Sequence, residues 1–191
     1  SAINTAEPYS VPKSLSKEVE KVTGVYMEVD DPWAFMDGWM NIDTYLEQLQ
    51  LHADWWGNAT KYILENKEWD IAFSWVGTID HIEHVLYGGI EPRSRVYDPQ
   101  RADWCMDMIR QVYKQVDDNV GKILKGVNLD ETFVVLISDH GMTRLDWNPY
   151  VKEHLARAGL LEYNLDLTTD DPSNLTINWD NTKCHPLEPC H

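Results

Sequence analysis

Residues 132–142 read TFVVLISDHGM, an apolar run that ends abruptly in a carboxylate, an imidazole and a glycine. Uninterrupted β-branched and apolar residues predict a strand that is buried on both faces, as in a parallel sheet. Gly141 allows the backbone to turn sharply after that strand. Asp139 and His140 would then lie just past the carboxyl end of the strand, where open α/β sheets place their sites. An ordinary Asp-His-Gly turn after a core strand explains these residues equally well.

A second apolar run, WDIAFSWV at residues 69–76, precedes GTIDHIEHVLYG at residues 77–88. Asp80 and His84 are four residues apart, so they would share one face of a first helical turn. Two strands that each end in an Asp and a His predict a metal site, because carboxylate oxygen and imidazole nitrogen together suit zinc, manganese or iron. The alternative is that His81 and His84 are ordinary polar residues of a loop.

A long helix is predicted over residues 101–124, between the two apolar runs. Strand, crossover helix and strand make a right-handed parallel βαβ unit over residues 70–141. This unit would bring both Asp/His pairs to the same edge of the sheet. The helix is indicated by an apolar stripe of Met106, Ile109, Val112, Val116, Val120 and Ile123.

Three further helices are predicted. One covers residues 14–23 and ends at Gly24, and one begins at Asn148-Pro149 and ends at Gly159. The longest covers residues 43–67, where Gly57 weakens the middle. Its residues at helical spacing are Tyr45, Leu46, Leu49, His52, Ala53, Trp56, Ala59, Tyr62 and Ile63.

Taken together, the DxxxH motif of Asp80 and His84, the following Tyr87-Gly88 and the later SDHGM resemble the alkaline phosphatase superfamily. The nearest branch is the type I phosphodiesterase/nucleotide pyrophosphatase group. The segments LARAGLL at residues 155–161 and NWDNTK at residues 178–183 are also similar to that group. The resemblance implies an α/β fold, an alkaline-phosphatase-like three-layer sandwich with a mostly parallel sheet, present here as a partial domain.

The resemblance implies metal-dependent hydrolysis of phosphate esters, of the phosphodiester or nucleotide pyrophosphate type. It implies two divalent metal ions, zinc before manganese. Asp80 and His84 would bind one ion, and Asp139 and His140 would bind the other. Paired ions of this kind stabilise both the attacking and the leaving oxygen of phosphoryl transfer.

The family's nucleophile, a Thr or Ser, and an early Asp lie on its first strand, but residues 1–40 contain no matching segment. Thr78 lies close to Asp80 but is expected to cap the following turn. A third metal-binding His is also missing, since His185 and His191 come too early. We therefore expect residues 1–191 to be a single α/β domain, a fragment of a longer phosphodiesterase that is itself inactive.

The net charge and the hydropathy of the sequence restrict which molecules this chain is expected to bind. Lys+Arg 16 against Asp+Glu 32 gives a net charge of −16, which argues against binding to a nucleic-acid backbone. A small phosphorylated substrate remains compatible, because bound divalent metals invert the local field. No run approaches the length of a membrane span. The first residues lack a signal-peptide pattern, which favours a cytoplasmic location, although a signal removed from a precursor would leave the same sequence. No pattern indicates the oligomeric state.

Three other functions stay open. A phosphomutase or sulfatase relative would use similar metal ligands, and a non-catalytic metal-binding or interaction module would keep the ligands without the chemistry. A separate zinc site formed by Cys184-His185 and Cys190-His191 would have only a terminal tail as its scaffold. With Cys105 in a helix, the three cysteines do not form a disulfide framework.

Overall fold

Helices provide most of the regular structure in the part of the chain that the computed structural model describes, residues 9–26, 30–145, 150–164 and 176–185. The chain divides into two compact units, Ser1–Leu145 and Asp146–His191. The first unit contains α1 Lys13–Thr23, α2 Pro32–Met36, α3 Ile42–Asn66, α4 Thr78–Ile90 and α5 Ala102–Leu124.

The predicted helices of the first unit are confirmed to within a residue at each end. Asn41 caps α3, because its side chain accepts a hydrogen bond from the Thr44 amide at 2.9 Å. Gly24 ends α1 with a φ of 81°, a conformation that favours glycine. The stripe predicted for α5 is also confirmed. Its centre, Ile109, Val112 and Val116, is buried, and its remaining members are half-buried.

The main core lies between α3, α4 and α5. Their apolar faces bury one another, and α1 covers a second cluster at the other end of α3 around Trp55. Each helix therefore finds its hydrophobic partner in another helix. The buried members of the main core are Tyr45, Leu46, Leu49, Ile82, Leu86, Cys105, Ile109 and Val112.

Two glycines allow α5 to approach its neighbours closely. A Cβ atom on Gly57 of α3 would lie 2.3 Å from Oδ1 of Asn119, and a Cβ atom on Gly89 of α4 would lie 2.9 Å from Sγ of Cys105. Real Cβ atoms essentially never approach another heavy atom this closely, so a Cβ atom at either position would force a neighbouring side chain of α5 to shift. Gly57 therefore serves helix packing at a position where the sequence suggested only a weakness in α3.

The predicted α/β fold, an alkaline-phosphatase-like sandwich with a mostly parallel sheet, is wrong for this structure. Residues 70–76 and 132–138 form neither helix nor strand, and neither run pairs with another segment among the described residues. Their apolar side chains face solvent, with Phe73 94% and Phe133 92% exposed. Within the described residues the predicted parallel sheet does not form, and the helices bury one another's apolar faces instead. Of the predicted βαβ unit over residues 70–141, the helix alone is formed.

Residues 70–76 lie beside α3 through polar contacts. The hydroxyl groups of Thr60 and Ser74 are 2.7 Å apart, and the indole N–H of Trp69 donates to the Leu64 carbonyl at 3.1 Å. These contacts hold the segment that leads into α4, while most of its apolar side chains stay exposed.

The second unit contains α6 Val151–Arg157 and a short antiparallel pair, β1 Tyr163–Asn164 and β2 Thr176–Ile177. Tyr163 is opposite Ile177 in the register. Gly159 follows α6 with a φ of 66°, as expected for a glycine just past a helix end. The predicted helix start at Asn148-Pro149 lies outside the described residues. The assignment of one domain to residues 1–191 stays a prediction.

Candidate functional site

The first turns of α4 carry one of the two predicted metal-binding pairs. Asp80 and His84 share a face of the helix as predicted, with Oδ1 of Asp80 3.4 Å from Nε2 of His84. The Asp80 oxygen is buried and accepts no hydrogen bond, while the His84 side chain is largely exposed. A carboxylate oxygen and an imidazole nitrogen therefore lie together near the N-terminal end of α4.

The second predicted pair, Asp139 and His140, directly follows residues 132–138, and both of its residues are exposed. Nε2 of His140 is 3.6 Å from Oδ2 of Asp139, and the His140 amide donates to Asp139 Oδ1 at 3.0 Å. Ser138 also donates its hydroxyl to the His140 carbonyl. Across the described ranges, no cluster of three or more metal-type donors contains any of the four predicted ligands. Their union in one two-metal site stays a prediction.

A different group of metal-type donors is buried beside the start of α4. Asp30, His52 and His81 each offer one donor atom, and these three atoms lie within 4.8 Å of one another. Nδ1 of His81 bonds to Oδ1 of Asp30, and Nδ1 of His52 lies 3.8 Å from the same oxygen. We call these three residues the Asp30 cluster.

Three helices position the Asp30 cluster. Asp31 caps α2 by accepting the Ala34 amide at 2.9 Å, and its own amide donates to the Gln48 side chain of α3 at 3.2 Å. These two bonds fix the backbone next to Asp30. His52 follows Gln48 by one turn of α3, and the indole N–H of Trp56 donates to its Nε2 at 2.8 Å.

Electrostatics in the cluster favour a negative Asp30 and a positive His81. Burial would raise the pKa of Asp30, but the polar groups of His52, His81 and Tyr45 outweigh it and lower that pKa well below its usual range. The hydrogen bond to Asp30 raises the pKa of His81 against the opposing effect of burial. Burial and the charge of Asp30 raise the pKa of Tyr45. The cluster is thus a buried, charged hydrogen-bonded centre whose donor types can also bind a metal.

Sequence reasoning missed Asp30 and His52 as site residues and considered His81 only in the alternative that it is an ordinary loop residue. One signal was present in the sequence: His52 falls on the apolar face predicted for α3. An imidazole on a buried face requires a polar partner. Asp30 gave no comparable signal, because residues 25–39 show no clear periodicity.

Two further predictions concern Thr78 and the Cys/His residues of the terminal tail. The prediction that Thr78 caps α4 is wrong, because Gly77 occupies the cap position and the Thr78 hydroxyl is buried without a hydrogen-bond partner. In the tail, Cys184 is an exposed free thiol and His185 lies beside the ring of Trp179. Cys190 and His191 lie outside the described residues, so the possible Cys/His zinc site stays a prediction.

Comparison with known proteins gives a match to one family. The family model described as type I phosphodiesterase / nucleotide pyrophosphatase matches residues 5–186, nearly the whole chain. No curated protein and no solved structure matches the chain. Among the described helices, none combines the length and the apolar character needed to cross a bilayer.

Proposed function

The chain belongs to the type I phosphodiesterase / nucleotide pyrophosphatase family, and from this premise we propose that its parent enzyme is a metal-dependent hydrolase of phosphate esters. The substrate would be a small phosphodiester or nucleotide pyrophosphate. The observation that carries the proposal is the Asp80–His84 pair, whose donor atoms lie 3.4 Å apart at the start of α4 within the matched region.

The donor types of the proposed ligands fit zinc first and manganese second. Asp80 offers a buried oxygen that lacks a hydrogen-bond partner, and His84 offers an exposed ring nitrogen beside it. Asp139 and His140 offer the same two donor types directly after residues 132–138. Two imidazoles among four ligands favour zinc over magnesium or calcium, which prefer oxygen alone. Metal ions held there would polarise phosphoryl oxygens and lower the barrier to displacement.

We assign these four residues to metal binding and none of them to nucleophilic attack. Thr78 is the nearest hydroxyl in sequence to Asp80, but it is fully buried and therefore inaccessible to a substrate. Because no nucleophile is assigned, we expect this chain alone to show negligible turnover, while the parent enzyme is active.

The test is release of nitrophenol from bis(4-nitrophenyl) phosphate by the parent enzyme with added zinc or manganese. Asp139→Asn removes a charged ligand and should lower the rate roughly a hundredfold or more, since even indirect contacts to metal ligands have effects approaching that size. Asp117→Asn, on the exposed side of α5, is the matched control and should keep full activity.

Other outcomes separate the alternatives. Turnover of aryl sulfate in place of aryl phosphate would favour a sulfatase relative. A parent inert towards both ester types, yet still binding metal through the four residues, would favour a non-catalytic module. Robust turnover by residues 1–191 alone would contradict our decision to assign no nucleophile within them.

A further inference from the structure

We propose that the Asp30 cluster is a binding site of its own for a zinc-type transition metal ion, separate from the four ligands of the proposed hydrolase site. Two imidazoles and one carboxylate are the ligand set of several zinc sites, which leave a fourth position open to water or another ligand. All three donors come from the described residues of the first unit, and the set contains none of the four proposed catalytic ligands.

Unsatisfied polar atoms provide the first argument. Asp30 is 5% exposed and His52 is 1% exposed. Even so, Oδ2 of Asp30 and Nδ1 of His52 have no hydrogen-bond partner. A buried polar atom without a partner costs free energy, and these two belong to residues that each offer a donor atom within 4.8 Å of the others. A divalent cation would satisfy the carboxylate oxygen directly, and the imidazole nitrogen once that nitrogen has given up its proton.

Distance provides the second argument. Zinc ligands at their usual bond lengths lie about 3.3 Å from one another in a tetrahedral site. The three donor atoms of the cluster already lie within 4.8 Å. The widest pair would have to approach by roughly 1.5 Å, a distance on the scale of a side-chain rotation. The contact between Asp30 and His81 would open to admit the ion.

Trp56 determines whether His52 can bind the ion. Its indole N–H donates to Nε2 of His52, so the neutral imidazole carries its proton on Nδ1, which faces Asp30. Coordination through Nδ1 requires that this nitrogen loses its proton and that Nε2 gains one, with no net change in protons. The Nε2–H group can no longer accept from Trp56. Metal binding and the Trp56–His52 hydrogen bond therefore exclude each other.

This exclusion gives a readout that does not depend on activity. The indole ¹⁵N–¹H resonance of Trp56, assigned by its loss in Trp56→Phe, should shift when zinc is added to metal-free protein. Calorimetric titration of the full chain with zinc should show that Trp56→Phe binds about fivefold more tightly, the size of one hydrogen bond that no longer competes. An unfolded variant could not show such a gain.

Loss of the site is tested with Asp30→Asn and His52→Gln. Each should abolish one equivalent of bound zinc, while Asp139→Asn should leave that equivalent intact. His154→Gln, which changes an exposed histidine of α6, is the matched control and should bind as the wild type does. Circular dichroism of each variant separates loss of the site from loss of the fold.

The proposal is overturned if Asp30→Asn and His52→Gln stay folded and bind as much zinc as the wild type. It is equally overturned if zinc leaves the Trp56 resonance unshifted, or if Trp56→Phe binds zinc no more tightly. The phosphodiesterase assay of Asp139→Asn is independent of these outcomes, so either proposal can fail without the other.

Discussion

Helix α5 and residues 132–138 are both rich in apolar residues, but the apolar side chains are buried in α5 and exposed in residues 132–138. In α5 the apolar residues recur at helical spacing, and the central ones are buried against α3 and α4. In residues 132–138 they follow one another without interruption, and from Phe133 to Ile137 they are exposed. Apolar content alone therefore does not determine which part of this chain forms the core.

The difference lies in where the hydrogen-bond partners of the backbone come from. A helix satisfies its own N–H and C=O groups within the segment, so its periodicity is enough to predict it. A strand needs a second segment, and neither apolar run of the first unit finds one among the described residues. An apolar run predicts an extended backbone but does not predict its partner.

The strongest test of this difference in burial is to place a charge in each region. Val112→Asp introduces a carboxylate at a fully buried position of α5 and should lower the free energy of unfolding by about 4 kcal/mol or more. Leu136→Asp, at a position 79% exposed, should change it by less than about 0.5 kcal/mol. Urea denaturation measures both. A large loss for Leu136→Asp would mean that the run is buried in solution.

The pH dependence of stability should come from the Asp30 cluster and not from residues 132–138. The pKa of His81 is raised above 6.5, so the contribution of its charged form is complete below pH 6.5 and is lost as the pH rises through the raised pKa. The pKa of Asp30 is lowered from 3.8, so its contribution is complete above pH 3.8 and is lost as the pH falls through the lowered pKa.

A pH series of urea denaturations without metal tests this expectation. The free energy of unfolding should decline on the alkaline side of pH 6.5 in the wild type, and this decline should disappear in Asp30→Asn. Asp139→Asn is the matched control, because its side chain is 69% exposed just after residues 132–138. If Asp30→Asn keeps the alkaline decline, the Asp30–His81 contact is not its source.

The smallest effect is expected where residues 70–76 contact α3. Ser74→Ala removes the exposed hydrogen bond between Ser74 and Thr60 of α3, and should lower the free energy of unfolding by less than about 0.5 kcal/mol. Chemical denaturation of the variant beside the wild type gives the value. A loss above about 1 kcal/mol would show that residues 70–76 are bound to α3 more firmly than their exposure indicates.

Much of the helical scaffold could be predicted from the sequence, because each signal is local. The stripe of α5, the helical spacing of α3 and the glycines after α1 and α6 act within a few residues of the structure they determine. The same holds for Asp80 and His84, whose spacing alone places them on one face of α4.

The sheet and the Asp30 cluster could not be predicted correctly, because both depend on contacts between distant residues. The two apolar runs suggested strands that would pair across the sheet, and the helices fill the core instead. Asp30 meets His81 across 51 residues of sequence, and no local pattern connects them. The position of His52 on an apolar face indicated a buried imidazole but did not identify its partner.

The contact between Gly89 and Cys105 has a consequence for the chemical reactivity of the chain. Cys105 is 4% exposed, and burial raises the pKa of its thiol, so alkylating reagents reach the reactive thiolate only when α4 and α5 separate. Cys184 is exposed and reacts without any opening. The rate at which Cys105 becomes labelled in the native protein therefore measures how often the α4–α5 core opens.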